Sequence, residues 1–211
     1  MSEGRNPAAE IFVVDDDAAV RATLSAVLSI EGYKVTCFAD GASFLAAATA
    51  CTPACVILDV HMPGRSGLDI LKELNAEQYP APIFIISGSG DIPMAVESIK
   101  SGAFDFIEKP FDGPSLVSRL REAIDAWARH SADPGGPDIP PQRVPGWELL
   151  SPRERDVLRQ IAGGASNKET GRQLGISPRT VEIHRARVME KLGVRNAVGL
   201  VRLVLGDGRG A

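Results

Sequence analysis

The stretch IFVVDDDAAV, residues 11–20, sets four apolar residues, three of them β-branched, directly against three consecutive aspartates. Ile and Val favour strands, whereas Asp is a poor former of both strands and helix interiors, so a buried strand is expected to stop at Val14. Three adjacent carboxylates repel one another. Either they cap the helix that follows or something cationic sits above them, and the rest of the chain decides which.

Working outward, further apolar runs follow: YKVTCF (33–38), ACVILD (54–59), PIFIIS (82–87) and AFDFIE (103–108). Amphipathic stretches separate them near residues 17–31, 41–50, 66–76 and 92–101, and a last one runs from about Pro114 to Arg129. Strands alternating with helices predict parallel pairing with right-handed crossovers and helices covering both faces of the sheet. In such sheets sites form at the carboxyl ends of the strands. The first strand ends in Asp15, Asp16 and Asp17. The third ends in Asp59, followed by Val60, His61, Met62, Pro63 and Gly64. The fourth ends in Ser87-Gly88, and the fifth leads to Lys109-Pro110.

These ends would gather two or three carboxylates, a hydroxyl and an ammonium in one crevice. Packed carboxylates are costly, and a hard divalent cation with oxygen ligands offsets their repulsion. Mg²⁺ fits, because it takes a few carboxylates and keeps positions for water and phosphate oxygens; His61 would offer its backbone carbonyl rather than its imidazole. Asp59 could then attack a phosphoryl group whose oxygens are bound by Mg²⁺, Lys109 and Ser87. Each feature alone has a plain explanation as a helix start, a turn, a cap or a loop. Their coincidence at successive strand ends carries the reading, with Asp17 assigned to the helix start.

The 211 residues are 44% hydrophobic and only 5% aromatic, enough for one large core or two smaller ones. The polar N-terminus MSEGRNPAAE holds no apolar run of a signal peptide, and no window approaches the roughly 20 apolar residues of a membrane span. Cys37, Cys51 and Cys55 contain no CxxC pair and read as small hydrophobes in a reducing compartment. A cytoplasmic protein without membrane contact is expected. Charge divides the chain: from Glu148 onward there are twelve Lys and Arg against seven Asp and Glu, while the rest holds eleven against twenty. An acidic half followed by a basic half implies two domains with different partners. Between them SADPGGPDIPPQRVPG (131–146), with five prolines and three glycines, reads as an extended linker. The expected division is 9–128, a linker over 129–147, and 148–208.

The basic half reads as four short helices. Ser151-Pro152-Arg153-Glu154 is a capping box with Pro at the first helical position, and Gly163-Gly164 ends that helix. A second runs from about Asn167 to Leu174 and stops at Gly175. A third starts at Ser177-Pro178 and reaches Leu192, and Asn196 caps the fourth. A helix, a short glycine-containing turn and a longer basic helix fit helix-turn-helix geometry. On the third helix Val181, Val188 and Leu192 share the core face. The opposite face carries Arg179, Glu182, Ile183, Ala186 and Arg187. It reads either as a solvated surface or as a reader of DNA, with outward Ile183 suited to a thymine methyl. Arg179 and Arg187 suit guanine edges or phosphates, Glu182 a cytosine amino group, and Lys168 a backbone phosphate. Thr180 and Arg185 complete the expected DNA-contacting set.

VVDDD, VILDVHMPGRSGLDIL, IISGSG and GAFDFIEKPF together resemble the CheY-type receiver domain of bacterial response regulators over about residues 9–128. The resemblance implies a flavodoxin-like (βα)5 domain with a five-stranded parallel sheet of order 2-1-3-4-5. It implies phosphorylation of Asp59 by a sensor histidine kinase. Asp15 and Asp16 become the acidic Mg²⁺ pair, with Asp16 the direct ligand, and His61 supplies a carbonyl ligand. Ser87 becomes the switch hydroxyl, Lys109 the phosphate-pairing lysine on a cis bond to Pro110, and Phe106 the switch aromatic. Residues 148–206 are similar to the LuxR-type DNA-binding domain through LSPRERDVL, ASNKE, LGIS, TVEIH and KLGV. They depart from it at Thr170-Gly171, where an aliphatic residue and an alanine are usual and where Gly weakens a helix by about 1 kcal/mol.

The whole, closest to a FixJ-like subfamily, implies a transcriptional regulator of a two-component system rather than an enzyme. Its implied partners are the kinase, double-stranded DNA, a second copy when phosphorylated, and RNA polymerase. A phosphatase of the haloacid-dehalogenase type is disfavoured, since its nucleophile sits on the first strand with a second Asp two residues on, where this chain has His61. A phosphate-independent interaction module is disfavoured by the intact set Asp16, Asp59, Ser87 and Lys109, and a small-molecule sensor by the receiver-like first half.

Overall fold

The computed structural model describes residues 9–88, 92–132, 139–140 and 144–205. The apolar runs become β1 (Glu10–Val14), β2 (Lys34–Phe38), β3 (Cys55–Asp59), β4 (Ile83–Ser87) and β5 (Asp105–Glu108). All pair in parallel, in the order β2-β1-β3-β4-β5. Every residue of the central strands β3 and β4 is buried, as helices on both faces require, while edge strand β2 is only partly covered. The covering helices are α1 (Ala18–Ile30), α2 (Gly41–Ala50), α3 (Gly67–Glu73), α4 (Ile92–Lys100) and α5 (Gly113–Ala132). Phe12 on β1, Phe38 on β2 and Phe44 on α2 meet edge to face with ring centroids 5.0–6.4 Å apart.

Local signals set the helix ends. Asp17 caps α1 by accepting from the Ala19 N–H, so one of the three opening aspartates belongs to the helix start. Ser66 and Asp69 close a capping box on α3. The stretch expected to be helical over 66–76 ends early, at Glu73. Asn75 takes left-handed backbone, and a 3-10 turn follows at Ala76–Gln78.

The chain divides into two compact units, Met1–Ile124 and Asp125–Ala211. In the second lie α6 (Pro152–Ala162), α7 (Asn167–Leu174), α8 (Pro178–Lys191) and α9 (Ala197–Leu205). Capping boxes at Ser151/Glu154 and Ser166/Glu169 start α6 and α7, Gly175 with φ 69° ends α7, and Ser177 caps α8. Val157, Leu158, Val181, Val188 and Leu200 form a core with no exposed surface. Leu192, expected among them, is partly exposed. Gly171 has a packing role: a Cβ there would lie 2.6 Å from the Ile176 carbonyl oxygen, so α7 and the turn approach each other over bare backbone.

Within the stretch expected to be linker, 133–138 and 141–143 lie outside the described residues, as do 206–208 of the expected DNA-binding span. The described parts are ordered more than their composition suggests. α5 continues to Ala132, Ile139 and Val144 are buried, and Trp147–Leu149 forms a 3-10 turn. Trp147 is buried beneath the guanidinium groups of Arg155 and Arg159, each 5.5 Å from its ring centroid. Gly146, at φ 84°, brings this turn against Leu192 just beyond α8, where a Cβ would lie 3.1 Å from Cδ2.

Candidate phosphoacceptor site and nucleic-acid interface

Strand register builds the acidic site. Val14 lies beside Leu58, Asp59 beside Ile86, and Ser87 beside Glu108, so the residues at the strand ends come level at the carboxyl edge. The Lys109 N–H donates to the Ser87 carbonyl at 2.7 Å, and the Lys109-Pro110 bond is cis. From this turn the Lys109 ammonium donates to Asp59 Oδ1 at 2.8 Å and to Asp15 Oδ2 at 2.9 Å. The free oxygen of each carboxylate takes a backbone donor: Asp17 N–H to Asp15 Oδ1 and His61 N–H to Asp59 Oδ2, both at 2.9 Å. Asp15 and Asp59 are buried and Asp16 is exposed, yet one carboxylate oxygen from each of the three lies within 4.8 Å of the others.

Burial raises the Asp59 pKa, and the nearby Asp15 charge pushes the same way, while the bond and charge of Lys109 oppose it. Burial by itself would lower the pKa of Lys109, but its bonds to Asp15 and Asp59 outweigh that and raise it. The ammonium therefore stays charged, and it neutralises only part of three crowded acids. An all-oxygen donor set with residual negative charge fits a hard divalent cation.

Ser87 is buried at the end of β4, with Oγ 3.7 Å from Met94 Sδ on α4. Phe106 sits on β5 beside Ile85 and is partly exposed. The His61 side chain is exposed, consistent with a backbone role. Two neighbours of the site escaped the sequence reading. Arg21 donates from Nη1 to the Asp15 carbonyl at 2.6 Å and pins the β1–α1 connection. Gly67 opens α3 against the backbone of Asp59, where any Cβ would collide with the Asp59 carbonyl oxygen, and its N–H donates to the Val60 carbonyl at 2.9 Å. A glycine at the first position of a helix was the available signal.

In the helical unit, Lys168 on α7 and Arg179, Glu182 and Ala186 on α8 are exposed, with Ile183 and Arg185 half-buried among them. Asn167 ties the two helices: its Oδ1 accepts from Arg185 at 3.3 Å and its Nδ2 donates to Glu182 at 3.5 Å. Two residues expected at DNA turn inward instead. Thr180 is buried, its hydroxyl 2.8 Å from that of the capping Ser177, because the first turn of α8 folds back on its own cap. Arg187 lies 3.2 Å from Glu154 Oε1 and is mostly buried, because the fully buried Glu154 on α6 needs cationic partners. Lys191 is the other, 2.7 Å from Glu154 Oε2.

His184, one turn from Arg187, is also buried. Burial first, and then the charges of Arg153, Arg187 and Lys191, push its pKa down to about 3. Its neutral form is thus built into the fold, while the unfolded chain protonates near its ordinary value of about 6.5. Below that value the unfolded state binds the extra proton, so stability falls as pH drops and continues to fall toward pH 3. Wild type is expected to lose about 2 kcal/mol more than His184→Gln between pH 7 and pH 5, read by denaturant unfolding at each pH. Equal losses in the two proteins would contradict the assignment.

Among the described residues no helix is long and apolar enough to cross a membrane. Residues 11–121 match the response regulator receiver domain, and residues 148–204 match the bacterial regulatory proteins of the luxR family. The chain is 43% identical over 199 residues to the transcriptional regulatory protein FixJ of Bradyrhizobium diazoefficiens, covering 94% of this chain and 95% of that one. It is 40% identical over 193 residues to the response regulator protein TmoT of Ectopseudomonas mendocina, covering 92% and 86% respectively. The crystal structure of full-length FixJ from B. japonicum superposes with a TM-score of 0.55 at 42% identity, over 96% of this chain and 98% of that one. With the sheet order, the level carboxylates and the helix-turn-helix unit all in place, the chain belongs to the two-component response regulators that join a receiver domain to a LuxR-type DNA-binding domain.

Proposed function

We propose that Asp59 accepts a phosphoryl group from the phosphohistidine of a sensor histidine kinase and that this controls DNA binding by the helical unit. The observation carrying the reading is the Lys109 ammonium bonded at once to Asp59 and Asp15, with Asp16 completing the cluster. Asp59 attacks phosphorus, an O–P bond forms as the N–P bond breaks, and the imidazole leaves with the electron pair. Asp15, Asp16, Asp59 and the carbonyl of His61 would hold Mg²⁺, which when bound neutralises charge between the carboxylates and the phosphoryl oxygens. Lys109 exchanges Asp59 Oδ1 for a phosphoryl oxygen, Ser87 turns toward the same group, and Phe106 moves inward. The reshaped α4–β5 face then pairs two receivers.

On this reading the receiver occupies 9–128, the linker 129–147 and the DNA-binding domain 148–208. The protein works in the cytoplasm, with the kinase, double-stranded DNA, a second copy of itself and RNA polymerase as partners. Lys168, Arg179, Glu182, Ile183, Arg185 and Ala186 meet DNA, in half-sites about one helical turn apart. The experiment that tests the reading is intact mass after incubation with phosphoramidate. One phosphoryl group per chain is expected with Mg²⁺, and no uptake with Mg²⁺ present would overturn it.

Lys168, placed for a backbone phosphate, reads no base. Lys168→Ala is therefore expected to weaken binding to all sequences alike and to reduce the salt dependence of log affinity by about 1 per protomer. Affinity measured from low to high salt checks this, and a change confined to one sequence would contradict the phosphate assignment.

A further inference from the structure

Edge strand β5 presents the N–H and the carbonyl of Phe106 to the outside of the sheet, where main-chain groups lack a neighbouring strand. Both are taken by side chains. The Phe106 N–H donates to Asp105 Oδ1 at 2.9 Å, and Arg119 Nη2, from α5, donates to the Phe106 carbonyl at 3.0 Å and to Asp105 Oδ2 at 2.6 Å. Asp105 is 1% exposed and Arg119 about one-third exposed, so the carboxylate is held in place by a partner that reaches in from solvent. The bonds close a ring around the main chain of a single residue, and that residue is the aromatic one assigned to the switch.

We propose that Asp105 and Arg119 are positioning residues of the switch: together they fix the Phe106 main chain to α5, so that only its ring moves when Asp59 is phosphorylated. This rests on the phospho-switch reading above and adds its mechanical support. A ring turning on a loose strand end would sample several depths in both states. A ring turning on a clamped peptide has two, since the packing of neighbours rather than backbone drift sets its stops. The pair acts as a unit, because either member alone leaves the Phe106 carbonyl or the buried carboxylate without the other's bond.

The test uses the full chain with para-fluorophenylalanine at position 106, observed by fluorine NMR with and without Mg²⁺ and beryllofluoride, a phosphoryl mimic. Wild type is expected to show one resonance without the mimic and a different one with it. Asp105→Asn and Arg119→Gln should show mixed populations in both conditions, with the mimic-induced change in population ratio reduced about tenfold, an ordinary coupling for contacting residues. Arg119→Gln leaves a buried carboxylate and risks misfolding, so Asp105→Asn with Arg119→Gln is the second variant, and it should lose no more than either single change. Phosphoryl uptake from phosphoramidate should persist in all three, since none touches Asp59. Variants that respond as wild type does, or losses that add in the double variant, would overturn the clamp alone. A wild-type ring that ignores the mimic would overturn the switch reading and the clamp with it.

Discussion

Asp59→Asn is expected to reduce phosphoryl uptake from phosphoramidate to the background of a protein without an acceptor. The amide keeps the shape of the carboxylate but lacks its nucleophilic charge. Asp15 cannot stand in. Its carboxylate is the more enclosed of the two, with a side chain 1% exposed against 5% for Asp59, which leaves a phosphodonor less room to approach. Folding should survive the change. Burial raises the Asp59 pKa, which marks its charged form as costly, and Lys109 keeps Asp15 as a partner when the second charge is gone. The unfolding midpoint should therefore hold or rise while uptake disappears. A variant that still takes up one phosphoryl group would move the acceptor elsewhere, and one that loses uptake by unfolding would leave the assignment without support.

The second large effect belongs to the other unit. Glu154→Ala is expected to cost the helical unit about 3–5 kcal/mol, as breaking a buried ion pair does. Glu154 has no exposed surface, accepts from the Lys191 ammonium at 2.7 Å and the Ser151 N–H at 2.8 Å, and faces Arg187 at 3.2 Å. Removing it takes one ion-pair partner from each of Arg187 and Lys191 and undoes the capping box that starts α6. A loss of this size approaches the whole stability of a small unit, about 5–15 kcal/mol. DNA binding should fail with it, although Glu154 does not itself face DNA. Trp147 lies in the turn that precedes α6 and Trp127 on α5, so fluorescence measured in a Trp127→Phe background during denaturant unfolding reports on the helical unit. Phosphoryl uptake at Asp59 should be unchanged, and Glu154→Gln, which keeps an acceptor for the Ser151 N–H, should lose less. A Glu154→Ala protein as stable as wild type would show that the ion pairs contribute little.

The parts of the protein that follow from local rules were legible in the sequence. Apolar runs gave strands, capping residues gave helix starts, and the recurrence of acids, a hydroxyl and a lysine at successive strand ends pointed to one crevice, because a parallel sheet has one carboxyl edge. What stayed hidden depends on distances between elements. Arg187 and Thr180 sit on a helix face that a sequence reading leaves open to solvent, and only the position of α6 and the fold-back of Ser177 show where they go. Arg21, Gly67 and Gly171 matter through contacts with backbone atoms, which no side-chain pattern reveals. The Pro/Gly-rich stretch signalled a lack of regular structure, yet Ile139, Val144 and Trp147 within it are buried, since a few well-spaced apolar residues can dock without forming helix or strand. Arg119 lies within the last amphipathic stretch, and only its distance to the Phe106 carbonyl shows what it holds.

The most direct test of the central claim, that phosphorylation of the receiver governs DNA reading, is selection of bound sequences from a random DNA library with the full chain. One arm holds the protein alone, and the other adds Mg²⁺ and beryllofluoride. The account predicts paired half-sites about one helical turn apart that emerge only with the mimic. The same sites emerging equally in both arms would contradict it.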